Sequence, residues 1–207
     1  MSAPLPTSAA ADRNKEPILE LLQRLLPNRG TALEIASGAG QHASWFGAAM
    51  PGWIWQPTDA DPHVLAAIAA RSAAASLTNV RAPLLLDVTA PQWPCAARPF
   101  SESFDAIYCA NMLHIAPWNS CAGLMRGSAS HLALDGLLIT YGPYFEDGIP
   151  AAPSNEAFDA SLRQRDPRWG IRRLADVTLE AGKAGLRLQA RHQMPANNLL
   201  LVFGRAR

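Results

Sequence analysis

Three features in the first half of the chain carry chemistry when they are taken together. The run Leu33-Glu34-Ile35-Ala36-Ser37-Gly38-Ala39-Gly40-Gln41-His42 takes an apolar stretch into two glycines and then directly into helix-forming sequence. Glycines permit a tight turn and let a ligand approach the backbone with no Cβ in the way. The helix start that follows, at Gln41 and His42, offers free N–H groups to a carboxylate or phosphate. Asp59 closes a second apolar stretch nineteen residues after Gly40, where its carboxylate can accept from both hydroxyls of an adenosine ribose. Asp87, beside Val88, closes a third after Leu84-Leu85-Leu86, within reach of an adenine amino group. A Gly-x-Gly turn alone suits any strand-to-helix connection, and an aspartate alone suits any solvated turn. In this order, the three describe a nucleoside pocket.

Two nucleosides compete. Gly38-Ala39-Gly40-Gln41-His42-Ala43 also fits the dinucleotide fingerprint, with Asp59 at the expected distance, so a nicotinamide oxidoreductase is the rival reading. Against it, Glu34 lies inside the strand, four residues before Gly38, where an acidic side chain can fix the loop and face the methionyl end of S-adenosylmethionine (SAM). No Tyr-x-x-x-Lys pair is present for hydride chemistry. SAM is therefore the expected cofactor. Its methyl is already activated by a sulfonium, so a protein chiefly aligns the acceptor and excludes water. A general base is needed only where the acceptor must shed a proton early.

The candidates for such roles are few. Asn111 and His114 follow a fourth strand, the first able to bind SAM and the second to act as a base or simply to pack. Tyr144 follows a fifth strand and can offer its hydroxyl to the acceptor or its ring to the sulfonium. Arg13 and Asn14 precede the first helical apolar run, where Arg13 can pair with the cofactor carboxylate. His42 reads equally as a loop-ordering residue or a ligand. Arg172 and Arg173, near Trp169, can bind an anionic substrate or form a solvated patch, and Asn197 and Asn198 lie at a hairpin turn or pocket rim. No His/Cys/Asp/Glu spacing argues for a metal.

The elements that must position these residues alternate. Helical spacing at Ile18, Leu21, Leu22, Leu25 and Leu26 predicts a first helix capped at Asp12 or Asn14, with Pro17 in its first turn. Strands are expected over 31–36, 53–58, 80–86 (weakened by Pro83), 104–109 and 136–141, with helices between them. Ser154 is expected to cap a further helix, and another runs over 174–184. Two final strands, 186–191 and 198–203, lie about six residues apart, too close for a parallel crossover. The expected fold is a doubly wound, mostly parallel seven-stranded α/β sheet with an antiparallel C-terminal hairpin, the Rossmann-like architecture of class I methyltransferases, in one domain over 1–207.

Composition narrows the function further. The chain has 207 residues, 49% apolar and 17% charged, with a net charge of +1, so neither disorder nor a polyanion-binding surface is expected. The segment Met1–Ala11 lacks a basic stretch and a long apolar core, and no run suits a membrane span, so a cytoplasmic protein without membrane or nucleic-acid partners is expected.

Several short motifs in order carry a resemblance over nearly the whole chain. Ala11-Asp12-Arg13-Asn14-Lys15-Glu16-Pro17-Ile18, Ala36-Ser37-Gly38-Ala39-Gly40-Gln41-His42 and Trp55-Gln56-Pro57-Thr58-Asp59 are among them. Asn111-Met112-Leu113-His114-Ile115, Trp169-Gly170-Ile171-Arg172 and Met194-Pro195-Ala196-Asn197-Asn198-Leu199 follow. The chain resembles the methyltransferase-like protein twenty-six family, which implies a class I SAM-dependent fold but supplies no substrate. Ala36 departs from the commoner Gly-x-Gly-x-Gly at its first position, and a strand-like φ is expected there. The expected function is methyl transfer from SAM to an unidentified small molecule; a SAM-binding module without catalysis is the alternative.

Overall fold

The computed structural model describes residues 5–206, so the first four residues of the segment Met1–Ala11 lie outside it. Helix α1 (Ala9–Leu25) is capped by Ser8, whose hydroxyl accepts from the Ala11 N–H at 3.3 Å. The expected cap at Asp12 or Asn14 is corrected: the helix starts earlier and carries Pro17 inside it. A proline there forgoes one helical hydrogen bond. Burial of Ile18, Leu21 and Leu22 against the sheet offsets that cost.

Then follow β1 (Gly30–Ile35), α2 (Gln41–Ala49), β2 (Trp53–Asp59), α3 (Pro62–Ala74), β3 (Leu84–Leu85) and β4 (Phe104–Ala110). A 3-10 turn (Met112–His114) leads to α4 (Asn119–His131), β5 (Leu132–Gly142) and β6 (Tyr144–Phe145). The chain closes with α5 (Pro153–Arg165), β7 (Arg172–Arg173), α6 (Leu174–Lys183), β8 (Leu186–Met194) and β9 (Asn198–Arg205). Seven strands form one sheet in the order β3-β2-β1-β4-β5-β9-β8, and β6 and β7 pair separately. Strands β1 to β5 are mutually parallel, whereas β9 runs antiparallel to both β5 and β8.

Three local expectations need adjustment. The third strand shrinks to two residues, with only an isolated bridge from Trp55 to Val80 before it, because Pro83 has no N–H to give the ladder. Helix α5 begins at Pro153 after Ala152, so Ser154 is not its cap; the Ser154 hydroxyl instead accepts from Asn197 Nδ2 at 3.3 Å. Strand β8 runs on to Met194, which pairs with Asn198, so the final turn is only Pro195-Ala196-Asn197. Ala196 and Asn197 accommodate it with φ of 58° and 56°.

Alternating strand residues feed two apolar layers. Ala32, Trp55, Tyr108 and Ile139 pack with Ile18, Leu22 and Phe46 on one face. Leu33, Ile107, Leu138 and Phe203 pack with Leu124 and Val177 on the other. Both faces are thus covered by helices, as a parallel sheet requires. Only the strand ends remain for chemistry, and parallelism puts the C-terminal ends of β1 to β5 along one edge. Among the described residues, no helix is long and apolar enough to cross a membrane.

Candidate functional site

The glycine turn at the end of β1 is wound left-handed at Ala36 (φ 56°), Gly38 (φ 55°) and Gly40 (φ 73°). The strand-like conformation expected of Ala36 is therefore corrected. Hydrogen bonds hold it in this unfavourable region: Ser37 N–H donates to the Thr58 carbonyl at 2.8 Å, and Ser37 Oγ accepts from Thr58 N–H at 3.2 Å. The two glycines do different work. A Cβ on Gly38 would meet nothing within 4 Å, so this backbone faces open space where a ligand can lie. A Cβ on Gly40 would come within 3.0 Å of the Ile68 Cα, so this glycine lets α2 pack on α3.

Asp59 stands against the turn. Its Oδ2 accepts from Gly38 N–H at 2.8 Å, and its Oδ1 from Asp61 N–H at 2.9 Å. The Asp59 carbonyl accepts from Leu86 N–H at 2.9 Å, which ties the end of β3 to the same spot. Asp87, one residue on, is exposed and accepts from both the N–H and the hydroxyl of Thr89 at 2.8 Å. Gly38, Asp59 and Asp87 thus share one edge. Val88 points its side chain into the core, leaving only its backbone at that edge.

Glu34 is buried beneath the turn, where its Oε2 accepts from Trp55 Nε1 at 2.6 Å. Burial pushes its pKa up to about 8, with the nearby Asp59 charge adding to the shift. Gln41 and His42 turn away from open space to organise the chain before and within α1. Gln41 Oε1 accepts from Ser8 N–H at 2.5 Å. His42 Nε2 meets Asn14 Oδ1 at 2.7 Å, its Nδ1 meets the Tyr108 hydroxyl at 3.2 Å, and its ring stacks on Phe46. With both nitrogens engaged and its pKa lowered to about 4 by burial, His42 is a neutral packing residue that orders the loop. Asn14 is likewise buried in this contact.

Beside the turn opens a cavity of about 860 Å³, bounded by Ser8, Arg13, Asn14, Asn111, His114, Tyr141, Phe158, Arg165 and Asn198 among others. Asn111 reaches it from a left-handed position (φ 62°), its N–H donating to the Tyr141 carbonyl at 2.8 Å. His114 sits on the 3-10 turn, edge-on to Phe158 at 5.6 Å. A Cβ on Gly142 would lie 3.0 Å from the His114 ring, so a side chain at that strand end would push the imidazole by a few tenths of an ångström. Burial, with the Arg172 charge nearby, lowers the His114 pKa to about 4. Unlike His42, its ring has no hydrogen-bond partner among the described residues, so a neutral imidazole faces the cavity.

Other expectations are redirected. Tyr144 is buried, its hydroxyl 2.9 Å from Thr140 Oγ1, and it does not border the cavity; its role facing the acceptor is corrected to packing. Arg172 spends its guanidinium on the carbonyls of Leu113 at 2.8 Å, Ala116 at 2.6 Å and Arg168 at 2.9 Å. It pins the turn that carries His114 instead of offering an anion site, and Arg173 pairs with Asp147. Tyr141, Asn155, Phe158 and Arg165 border the cavity but escaped the sequence reading as site residues. For Phe158 and Arg165 a signal existed, since seven residues apart on one helix puts them on one face. Among the described residues, no cluster of three or more His, Cys, Asp or Glu could hold a metal.

The strand order, the reversed β9 and the turn at the end of β1 define the class I methyltransferase fold. The chain belongs to the family described as protein of unknown function (DUF938), whose pattern matches residues 5–205. Solved structures agree on the fold. The S-adenosylmethionine-dependent methyltransferase SibL in its apo form superposes with a TM-score of 0.77 at 18% identity, over 96% of this chain and 56% of that one. CalO1, a methyltransferase in calicheamicin biosynthesis with SAH bound, gives 0.75 at 16%, over 95% and 54%. An O-methyltransferase family 2 protein from Planctomyces limnophilus in complex with apigenin gives 0.73 at 16%, over 93% and 62%. The chain spans a little over half the length of these proteins.

Proposed function

We propose that this chain is a SAM-dependent methyltransferase acting on a small molecule. Two observations carry the reading: the open backbone at Gly38 is braced by the Asp59 carboxylate, and its turn is bonded through Gln41 and His42 to Ser8 and Asn14, which line the cavity that a neutral His114 faces. The residues fit the cofactor. Each Asp59 oxygen has given one lone pair to the backbone, which leaves one apiece for a ribose diol. Asp87 and the Val88 backbone would flank the adenine, and Asn111, beside the Ala36 and Gly38 turn, the methionyl part. Glu34 lies below that turn, and Arg13, on the cavity wall, would pair with the cofactor carboxylate.

Bound SAM supplies an electrophilic methyl carbon, and its displacement leaves neutral S-adenosylhomocysteine (SAH). The protein's own part is to align the acceptor within the cavity and exclude water. His114 would receive the proton that an O–H or N–H acceptor releases. The apigenin in complex with the Planctomyces protein and the SAH bound by CalO1 support a small-molecule, SAM-linked reading.

Calorimetry with SAH and NADH tests the cofactor. SAH is expected to bind in the micromolar range, about −8 kcal/mol, and NADH binding without SAH binding overturns the proposal. Incubation with methyl-labelled SAM and a metabolite extract then tests catalysis. Label in a small product is the expected outcome; tight binding with no transfer marks a cofactor-binding module.

A further inference from the structure

The cavity's charge is one-sided. Arg13 and Arg165 border it, and no aspartate or glutamate does. Neither arginine makes an ion pair with any described acid. For Arg165 this is a matter of placement, since acids stand nearby in sequence. Asp159 is held by Arg163 at 2.8 Å and by the Ile171 N–H, and Asp166 by Arg168 at 2.7 Å. The Arg165 guanidinium instead lies over the Trp169 ring, 5.5 Å from its centre. A stacked guanidinium keeps its edge free, and that edge matches a carboxylate bidentately.

Helix α5 sets a length. Phe158, in edge contact with His114, and Arg165 are seven residues apart, so they share a face about 10 Å apart along the axis. Ile115, Phe158 and Pro143 add apolar surface to the same cavity. One arginine is committed to the cofactor carboxylate in the reading above, on which this step rests; the second has no such duty. We propose that Arg165 selects the acceptor: a flat, apolar small molecule with a carboxylate at one end and its methyl-accepting atom at the other, separated by an aromatic ring and a short arm. The carboxylate docks on Arg165 at the mouth, and the accepting atom reaches His114.

The probes are 4-hydroxycinnamate and 4-hydroxybenzoate, each against its primary amide, titrated into the full chain saturated with SAH. The acids are expected to bind at least tenfold more tightly than the amides (about 1.4 kcal/mol), with the longer acid ahead. Arg165→Gln should erase the acid preference while leaving SAH affinity unchanged, and Arg165→Lys should restore part of it. Equal binding of acids and amides, or no binding of either, overturns the substrate class. A preference that survives Arg165→Gln but disappears in Arg13→Gln overturns the assignment to Arg165. Failure of SAH itself to bind strikes the methyltransferase reading instead, and is seen before any probe is added.

Discussion

Replacing Asp59 separates the two duties assigned to its carboxylate. A carboxylate offers about four lone-pair positions, and two are taken by the N–H groups of Gly38 at 2.8 Å and Asp61 at 2.9 Å. The remaining two match a vicinal diol. Each charge-assisted hydrogen bond contributes about 1.5–3 kcal/mol. Asp59 is only half-buried, so water competes for it and the lower end applies. Asp59→Ala should therefore weaken SAH by about 2–4 kcal/mol, roughly 30- to 1,000-fold. Asp59→Asn retains one acceptor oxygen and should lose about half that free energy. Calorimetry with SAH and with its 2′,3′-dideoxy analogue completes a cycle: the analogue should bind wild type weakly and lose little more in Asp59→Ala. Were Asp59→Ala to bind SAH within twofold of wild type, or to weaken both ligands equally, the ribose role would be refuted.

The two turn glycines should part company. Gly38→Ala puts a methyl into open space at φ 55°, so it should cost about 1 kcal/mol of stability yet abolish measurable SAH binding, whereas Gly40→Ala meets Ile68 and should chiefly lower Tm. Buried ionisable groups predict a stability maximum between about pH 6 and 7, readable from urea midpoints. His42 and His114, lowered to about 4, must be protonated on unfolding, so their contribution is lost as pH falls below their ordinary 6.5. Glu34, raised to about 8, is protonated in the native state, so its contribution is lost as pH climbs from 4.5 through 8; Glu34→Gln should flatten that alkaline limb. Once an acceptor is known, His114→Gln should lower kcat with SAH affinity unchanged, and wild-type kcat/KM should stay level down to about pH 5. A break near pH 6.5 would show a solvated His114 and contradict its burial.

Legibility of the fold followed the strength of local patterning. Apolar runs ending at Ile35, Asp59 and Ala110 announce parallel strands whatever surrounds them, and the short link after β8 forces the reversed β9. Gly38 and Asp59 were legible because turn geometry and strand-end chemistry are sequence-local. Ala36 was not: its left-handed φ is imposed by the Ser37–Thr58 contacts, which come from another strand. The same holds for Asn14, which looks like a helix start but is buried because His42, twenty-eight residues on, needs its amide oxygen. Tyr144 and Arg172 stayed open between a ligand-facing and another role, because sequence does not show which groups in the fold will satisfy a polar side chain. Thr140 and the carbonyls of Leu113, Ala116 and Arg168 satisfy them internally.

These internal partners link the two halves of the site. Arg71 donates from Nε to the Ala39 carbonyl at 2.8 Å and from Nη2 to the Pro6 carbonyl at 2.5 Å, so one side chain on α3 grips both the glycine turn and the segment before α1. Gln41 repeats the grip from α2, accepting from Ser8 N–H and donating to its carbonyl at 3.3 Å. Asn14 and His42 close it nearly two helical turns further along α1. Of these contacts the Asn14–His42 pair is buried, and loss of either partner strands a polar group at about 1–3 kcal/mol. The segment over 6–14 and the turn over 36–42 therefore order together. Arg13 projects from the first of these and Gly38 opens from the second, so the two places proposed for the cofactor's carboxylate and its adenosyl part are set by a single hydrogen-bonded unit.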